Sequence, residues 1–408
     1  MGGVVISYPG TVSPDHRHSQ LPPVGPRMFG IPDELIVRMQ QADTKKPVHI
    51  FIFCNDETEL PRITANLQRC AEEKGIPFVP GLLHLIPWDT DTYWTRDYAP
   101  SWITDNKGHY SILKHIYTSS GGGLEGLAED TDGNFPEQSP GIFRSNDNYS
   151  TVCLSDFLNT PIHRWNNASW DGILRQAEDR LDPHGWFFSG LLNVGGNYMA
   201  TSKGVLASSY LVATQNELPS NTDPKDLPSP EEAFKSRISY IMDQAHRFLG
   251  VNTYYALADP AGTYCGHIDS WGKFLSDDSI LVATTDSPDI NAGLDKIADY
   301  MHRNGFKVFR VKCPNIYVPT EERKPATIAP YTNSLILNNQ VYVPMTGNSW
   351  YDSMAIEAYQ GAMLKSYKIF GIEGKPEAPW LGNDALHCRV NAIPRKVVDN
   401  WLKSQLMA

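Results

Sequence analysis

The 408-residue sequence predicts an α/β protein, a single domain over 1–408 in which one supersecondary unit is used several times. Three observations carry that reading. Short aromatic and β-branched runs, of which His49-Ile50-Phe51-Ile52-Phe53-Cys54 is the clearest, read as buried strands and alternate with amphipathic helical stretches. The order strand, strand, helix, strand is complete between residues 334 and 372 and recurs less completely at 49–86 and 271–311. No linker-like change of composition divides the chain.

In chain order, Pro32 to Met39 is expected to be a short helix, with proline at its start and Leu35, Ile36 and Met39 on its apolar side. After the strand at His49, a helix from about Glu57 to Lys74 should end at Gly75, and Phe78 to Ile86 should return as a strand. Trp88 to Pro100 is dense in aspartate and aromatic residues with little helical pattern, as the rim of a site would be. Ser101-Trp102-Ile103 and Tyr110-Ser111-Ile112-Leu113 read as a hairpin. Residues 119–190 carry the weakest pattern, and Ser119-Ser120-Gly121-Gly122-Gly123 lacks the Lys-Ser/Thr ending of a phosphate-binding loop. Asn193 to Tyr198 is expected to be a strand running into a tight turn, and Asn216 to Pro228 a polar loop. Ser229-Pro230-Glu231-Glu232 is a capping box that opens a helix running to Leu249, before Gly250. Then follow a strand at Ser279–Ala283, a helix at Ala292–Arg303 and a strand at Phe306–Val311. The last unit has two strands about the Asn338-Asn339 turn, a helix from about Ser353 to Leu364 and a strand at Tyr367–Ile372.

Composition excludes several classes of function. A net charge of -11 is the wrong sign for a nucleic-acid binder and suits a cationic substrate. No apolar run is long enough to cross a membrane. Met1-Gly2-Gly3-Val4-Val5-Ile6 lacks the basic start and cleavage site of a secretion signal, so the chain as written is expected in the cytoplasm. The six cysteines have wide, irregular spacing without a CxxC pair, which argues against a zinc ribbon or a redox motif.

Four stretches hold the chemistry. Cys388 lies between His387 and Arg389, and adjacent cations are one means of lowering a thiol pKa toward neutrality. His267 and Asp269, two apart on an expected extended segment, would point to one face, the imidazole able to exchange protons and the carboxylate able to hold a cation. Asp97 follows Arg96 in the aromatic setting Tyr93-Trp94-Thr95-Arg96-Asp97-Tyr98, and Asn333 supplies an amide. Taken singly, each has a plainer reading: a His–Asp pair satisfying itself, an Arg96–Asp97 ion pair, a cysteine buried in the core. Together they make a thiol, an imidazole, two carboxylates and an amide, which is the equipment for attacking a planar guanidinium. Cys265, two residues before His267, is the rival nucleophile. A metal cluster of Cys265, His267, Asp269, His387 and Cys388 fits no standard zinc spacing, so neither a metal nor another cofactor is expected.

With these residues assembled, the chain resembles the Porphyromonas-type peptidylarginine deiminases, a family that also contains the agmatine deiminases. The resemblance rests on Tyr93–Tyr98, on Gly195-Gly196-Asn197-Tyr198-Met199, on His267-Ile268-Asp269-Ser270-Trp271-Gly272-Lys273, on Pro330 to Asn339, and on Pro379-Trp380-Leu381-Gly382 with Leu386-His387-Cys388-Arg389. It implies a pentein fold, five pseudo-repeated ββαβ blades around a central site. It further implies Cys388 as nucleophile, His267 as general acid and base, Asp97 and Asp269 as guanidinium holders, Asn333 as an active-site amide, and Trp94, Tyr264 and Arg96 at the substrate. The reaction implied is hydrolysis of the arginine side chain in peptides to citrulline, with release of ammonia. Alternatives are deimination of agmatine to N-carbamoylputrescine, as in polyamine biosynthesis, and amidino transfer. The partner expected is thus an arginine-containing peptide or a small guanidino compound.

Two departures bear on the substrate. Val390-Asn391-Ala392-Ile393 follows the Cys388 motif where agmatine deiminases have Thr-Gln-Gln, which is closer to the peptidyl branch. Residues 101–143, however, contain no arginine, where the resemblance to the peptidyl type implies an arginine pair that holds a substrate carboxylate; Lys114 and His115 are the nearest bases. The family also has residues ahead of the first matching strand, and an N-terminal extension carrying a signal would make the natural chain a secreted one.

Overall fold

The computed structural model describes residues 1–8, 30–43, 45–54, 57–88, 90, 92–105, 107–115, 117, 145–160, 191, 194–216, 229–263, 265–316, 327–374, 380 and 384–407. The loop expected at 119–123 and most of 119–190 and 216–228 lie outside the described residues.

The chain is a mixed α/β fold of separate small sheets. Three of them repeat one plan: a hairpin, a crossover helix, and a third strand parallel to the second. Met199–Ala200 and Val205–Ser209 are followed by the helix Pro230–Leu249 and the strand Thr253–Leu257. Gly272–Ser276 and Ser279–Thr284 lead to Pro288–Arg303 and Lys307–Lys312. Leu335–Leu337 and Gln340–Met345 lead to Ser349–Ala362 and Lys368–Glu373. A fourth, four-stranded sheet has the order Asn391–Ile393, Gly3–Ser7, His49–Cys54, Leu83–Pro87, with its first pair antiparallel and the rest parallel. The helices Asp33–Gln40 and Leu60–Lys74 make its crossovers. The expected 101–113 hairpin is present as Ser101–Thr104 with Tyr110–Leu113.

Local chemistry accounts for most boundaries. The Ser229 hydroxyl accepts from the Glu232 N–H, and the Glu232 carboxylate accepts from the Ser229 N–H, the reciprocal cap expected there. Leu60–Lys74 ends on Gly75 at φ 62, a left-handed turn that costs glycine nothing. Two helices begin four residues earlier than the apolar pattern implied, because caps start them: Ser287 accepts from Ile290 N–H, and Asn348 from Tyr351 N–H. The strand expected from Phe78 begins only at Leu83, after a short 3-10 turn at Pro80–Leu82.

Two expectations near the site are corrected and one is met in part. The tight turn expected at the end of the Asn193–Tyr198 stretch is a 3-10 turn at Gly195–Asn197, with Asn193 outside the described residues. It bends there because the backbones of two segments touch: a Cβ on Gly195 would lie 2.0 Å from the Arg96 carbonyl oxygen. Within the aspartate-rich stretch, Thr95–Tyr98 forms one helical turn. His267 is extended, but Ile268–Ser270 is a 3-10 turn, so the two site residues there do not share a strand face.

Candidate active site

Five segments meet at the centre, and each ends a few residues before the first strand of a sheet. They are Thr95–Tyr98 before Ser101, Gly195–Asn197 before Met199, His267–Ser270 before Gly272, Thr332–Asn333 before Leu335, and Ala385–Arg389 before Asn391. Hydrogen bonds clasp them in a ring that follows chain order. Asp97 Oδ1 accepts from Gly196 N–H at 3.0 Å, and Asn197 Oδ1 accepts from Ile268 N–H at 3.2 Å. The Thr332 hydroxyl donates to the Asp269 carbonyl at 3.1 Å. Asn333 Oδ1 accepts the N–H groups of Ala385, His387 and Cys388 at 3.2, 2.9 and 3.2 Å. Arg96 N–H closes the ring on the Cys388 carbonyl at 3.0 Å.

Inside the ring stand most of the residues singled out in the sequence. A Cβ on Gly196 would lie 2.8 Å from Asp97 Oδ1, 2.8 Å from His267 Nδ1 and 3.2 Å from Asp269 Oδ2, so three side chains converge on one bare glycine. His267 Nδ1 is 4.0 Å from Asp97 Oδ1, close enough for attraction between charges but too long for a hydrogen bond. The Cys388 sulfur lies 3.5 Å from Asp269 Oδ2 and accepts from Asn333 Nδ2 at 3.0 Å. His267, Asp269 and Cys388 are 2%, 0% and 6% exposed, so whatever binds here is largely removed from water.

Protonation follows from burial and neighbouring charge. Burial lowers the pKa of His267, but the Cys265 sulfur and the Asp97 and Asp269 carboxylates outweigh it and raise it to about 10, which makes it an imidazolium at neutral pH. Burial raises the Asp269 pKa to about 6, against His267 and Lys273 and with Asp97. Burial first, then Asp269, Asp384 and Asp97, hold the Cys388 thiol well above its ordinary range. This overturns the expectation that His387 and Arg389 activate it. Arg389 is wholly buried and turned away, with Nε and Nη2 on Asp384 at 3.2 and 2.7 Å and Nη1 on the Gly30 carbonyl at 2.7 Å. His387 is held well below its ordinary pKa by burial and by the cations Lys273, Arg96 and His267, so it is neutral.

Arg96 donates from Nε to the His387 carbonyl at 3.3 Å, bracing the cysteine loop. Trp94 is half-exposed at the start of the helical turn, its ring 4.9 Å from that of Tyr93. Tyr264 lies outside the described residues. Cys265 is half-buried with its sulfur 3.4 Å from the Ser270 hydroxyl, and all six cysteines are free thiols. Lys114 is buried, donating to the His115 carbonyl and Asn148 Oδ1 at 3.3 Å each. Among the described residues, no group of three or more His, Cys, Asp or Glu is placed to hold a metal ion.

Two residues of the site were given no role from the sequence: Gly196 and Lys273 lay in motifs that were recognised. His387 was read only as a charge beside Cys388 and as a member of a metal cluster. Lys273 is 6% exposed, and burial and Arg96 push its pKa down to about 7 against Asp269 and Cys388. A lysine spaced four residues from Asp269 was the available signal.

Residues 236–394 match the family described as Porphyromonas-type peptidyl-arginine deiminase. Three solved structures show the same fold over nearly the whole chain. An agmatine deiminase of C. jejuni is 14% identical with a TM-score of 0.59, over 95% of this chain and 92% of its own. An agmatine deiminase of Enterococcus faecalis is 17% identical with a TM-score of 0.58, over 96% and 92%. A Porphyromonas gingivalis protein provisionally described as an arginine deiminase is 17% identical with a TM-score of 0.59, over 96% and 95%.

Proposed function

We propose that the chain, whose residues 236–394 match the Porphyromonas-type peptidyl-arginine deiminase family, is a hydrolase of guanidino groups that deiminates arginine side chains of peptides to citrulline. The observation that carries this is the convergence of Asp97, His267 and Asp269 on Gly196, beside the Cys388 sulfur. Asp269 Oδ1 and His267 Nε2 are buried there without a hydrogen-bond partner, one able to accept and the other, on an imidazolium, able to donate.

The steps follow from those charges. Asp97 and Asp269 align the planar guanidinium, whose N–H groups match two carboxylates. Its positive charge offsets the carboxylate field that keeps the Cys388 thiol protonated, so the proton leaves to solvent when substrate arrives and the thiolate attacks the guanidinium carbon. His267, already an imidazolium, gives its proton to the departing nitrogen, and ammonia leaves a Cys388 S-alkylthiouronium. Neutral His267 then takes a proton from water. The resulting hydroxide adds to the same carbon, and the sulfur departs from the ureido product. The half-exposed Trp94 ring forms one wall of the entrance, and Asn333 holds the nucleophile by both its sulfur and its backbone. Arg96 acts through the cysteine loop as a brace.

The catalytic unit extends over 1–408, with five blades about the ring. Three like sheets, the four-stranded one and the hairpin support this arrangement. A second substrate reading, agmatine, is favoured by one observation. Lys114 is tied to a carbonyl and an amide in the interior, so neither an arginine pair nor this lysine is available to clasp a substrate carboxylate. Ammonia release from free arginine, agmatine, and peptides with internal or C-terminal arginine separates the two. Turnover of peptides is the expected result. Turnover of agmatine alone moves the assignment to the small amine, and silence on every guanidine rejects deimination.

A further inference from the structure

We propose that His387 is a positioning residue, whose Nδ1–H fixes the Asp269 carboxylate in the one orientation that leaves Oδ1 open to a guanidinium beside the Cys388 sulfur. The inference rests on the deiminase reading above and assigns a residue to which that chemistry gives no part. His387 Nδ1 is 2.7 Å from Asp269 Oδ2, both side chains are buried, and Oδ1 of the same carboxylate has no partner. An aspartate carboxylate turns easily about its last torsion, so an unheld Asp269 would present its oxygens in many directions. Held by one oxygen, it presents the other in one.

What holds it is itself held. The His387 N–H donates to Asn333 Oδ1 at 2.9 Å, and the His387 carbonyl accepts from Arg96 Nε at 3.3 Å. Cys388 is the next residue on the same clamped loop. The nucleophile and the group that aims the guanidinium-binding carboxylate are therefore consecutive parts of one rigid piece, and the spacing between sulfur and carboxylate is set by that piece. A neutral imidazole donating from Nδ1 suits this work, as an orienting partner does for a catalytic histidine. The role is distinct from that of His267, which carries the proton.

The test compares His387→Ala with His387→Asn, whose side-chain N–H falls near the place of the imidazole Nδ1–H and can donate to Asp269. Loss of one charge-assisted hydrogen bond predicts a fall of roughly 10- to 100-fold in kcat/KM for His387→Ala. The fall should lie mainly in kcat, because the carboxylate still attracts the cation but no longer aims it. His387→Asn should recover most of that loss. In an Asp269→Asn background, removing His387 should cost little more, because its effect runs through that carboxylate. His387→Ala within about threefold of wild type overturns the proposal. So does a His387→Asn variant that melts like wild type yet is as impaired as His387→Ala, since the imidazole itself would then be needed. Should His387→Ala fail to fold, the folded Asn variant decides alone. A wild-type enzyme silent on every guanidine rejects the deiminase reading, and this inference with it. An active wild type with an indifferent His387 rejects the inference alone.

Discussion

His387 and Arg389 flank the same cysteine, and each meets a buried carboxylate, yet the two pairs differ in what they leave open. Arg389 and Asp384 saturate each other. The guanidinium makes two contacts with the carboxylate and one with Gly30, lies 4.8 Å from the Tyr93 ring and 5.2 Å from the Trp380 ring, and Tyr93 donates to the same carboxylate at 3.0 Å. Asp269 is held by His387 at one oxygen and unpartnered at the other. A saturated buried pair can only brace a loop. A carboxylate with an unused oxygen in a dry site has binding capacity left over. The two residues on either side of Cys388 thus divide into scaffold and candidate site according to what their carboxylate partners leave unsatisfied.

The sharpest break of this contrast is at the cysteine. Cys388→Ala should abolish turnover with an unchanged melting curve, whereas Cys265→Ala should stay within about threefold of wild type in kcat/KM. Reversal of those results moves the nucleophile to Cys265. Next in size are the two carboxylates proposed to hold the guanidinium. Asp97→Asn and Asp269→Asn should each leave a substrate cation half-paired, at about 3–5 kcal/mol, or roughly two to four decades in kcat/KM. Near-normal kinetics in either variant removes that aspartate from the site. On the scaffold side, Asp384→Ala strands a buried guanidinium and should cost about 3–5 kcal/mol of folding stability, measured by urea unfolding. A variant of wild-type stability would show that the pair is not a brace. Gly196→Ala is smaller. Its methyl group would stand 2.8 Å from both Asp97 Oδ1 and His267 Nδ1, so kcat/KM should fall by about 10- to 100-fold from the displaced geometry while the fold melts normally. Chelators come last: EDTA should leave activity unchanged, and activity restored by added zinc or calcium would reinstate a metal.

The regular units were legible because period and capping agree locally. The Ser229 cap and the alternation after residue 334 are short-range signals, and the structure has both. The residues of the ring were legible as types in recognisable motifs, but their electrostatics were not. Sequence adjacency placed two cations beside Cys388, and only the three-dimensional partners show that Asp384 takes one and that burial keeps the other neutral. The turn at Ile268–Ser270 was misjudged as extended for a related reason. Its bend answers to a contact with Asn197, which no local pattern announces.

The cyclic clasp has a consequence for how the protein loses activity. The seams join residues between 52 and 292 positions apart in the chain, so each is a non-local contact. Such non-local closure is slow to form and is reached late. Once formed, the ring positions every site segment from two sides: opening one seam, through partial unfolding of a single sheet, loosens both segments that meet there. Activity should therefore report the least stable sheet and not the average of the molecule, and heat should silence the enzyme at the temperature where that sheet opens, below the point at which the other cores melt.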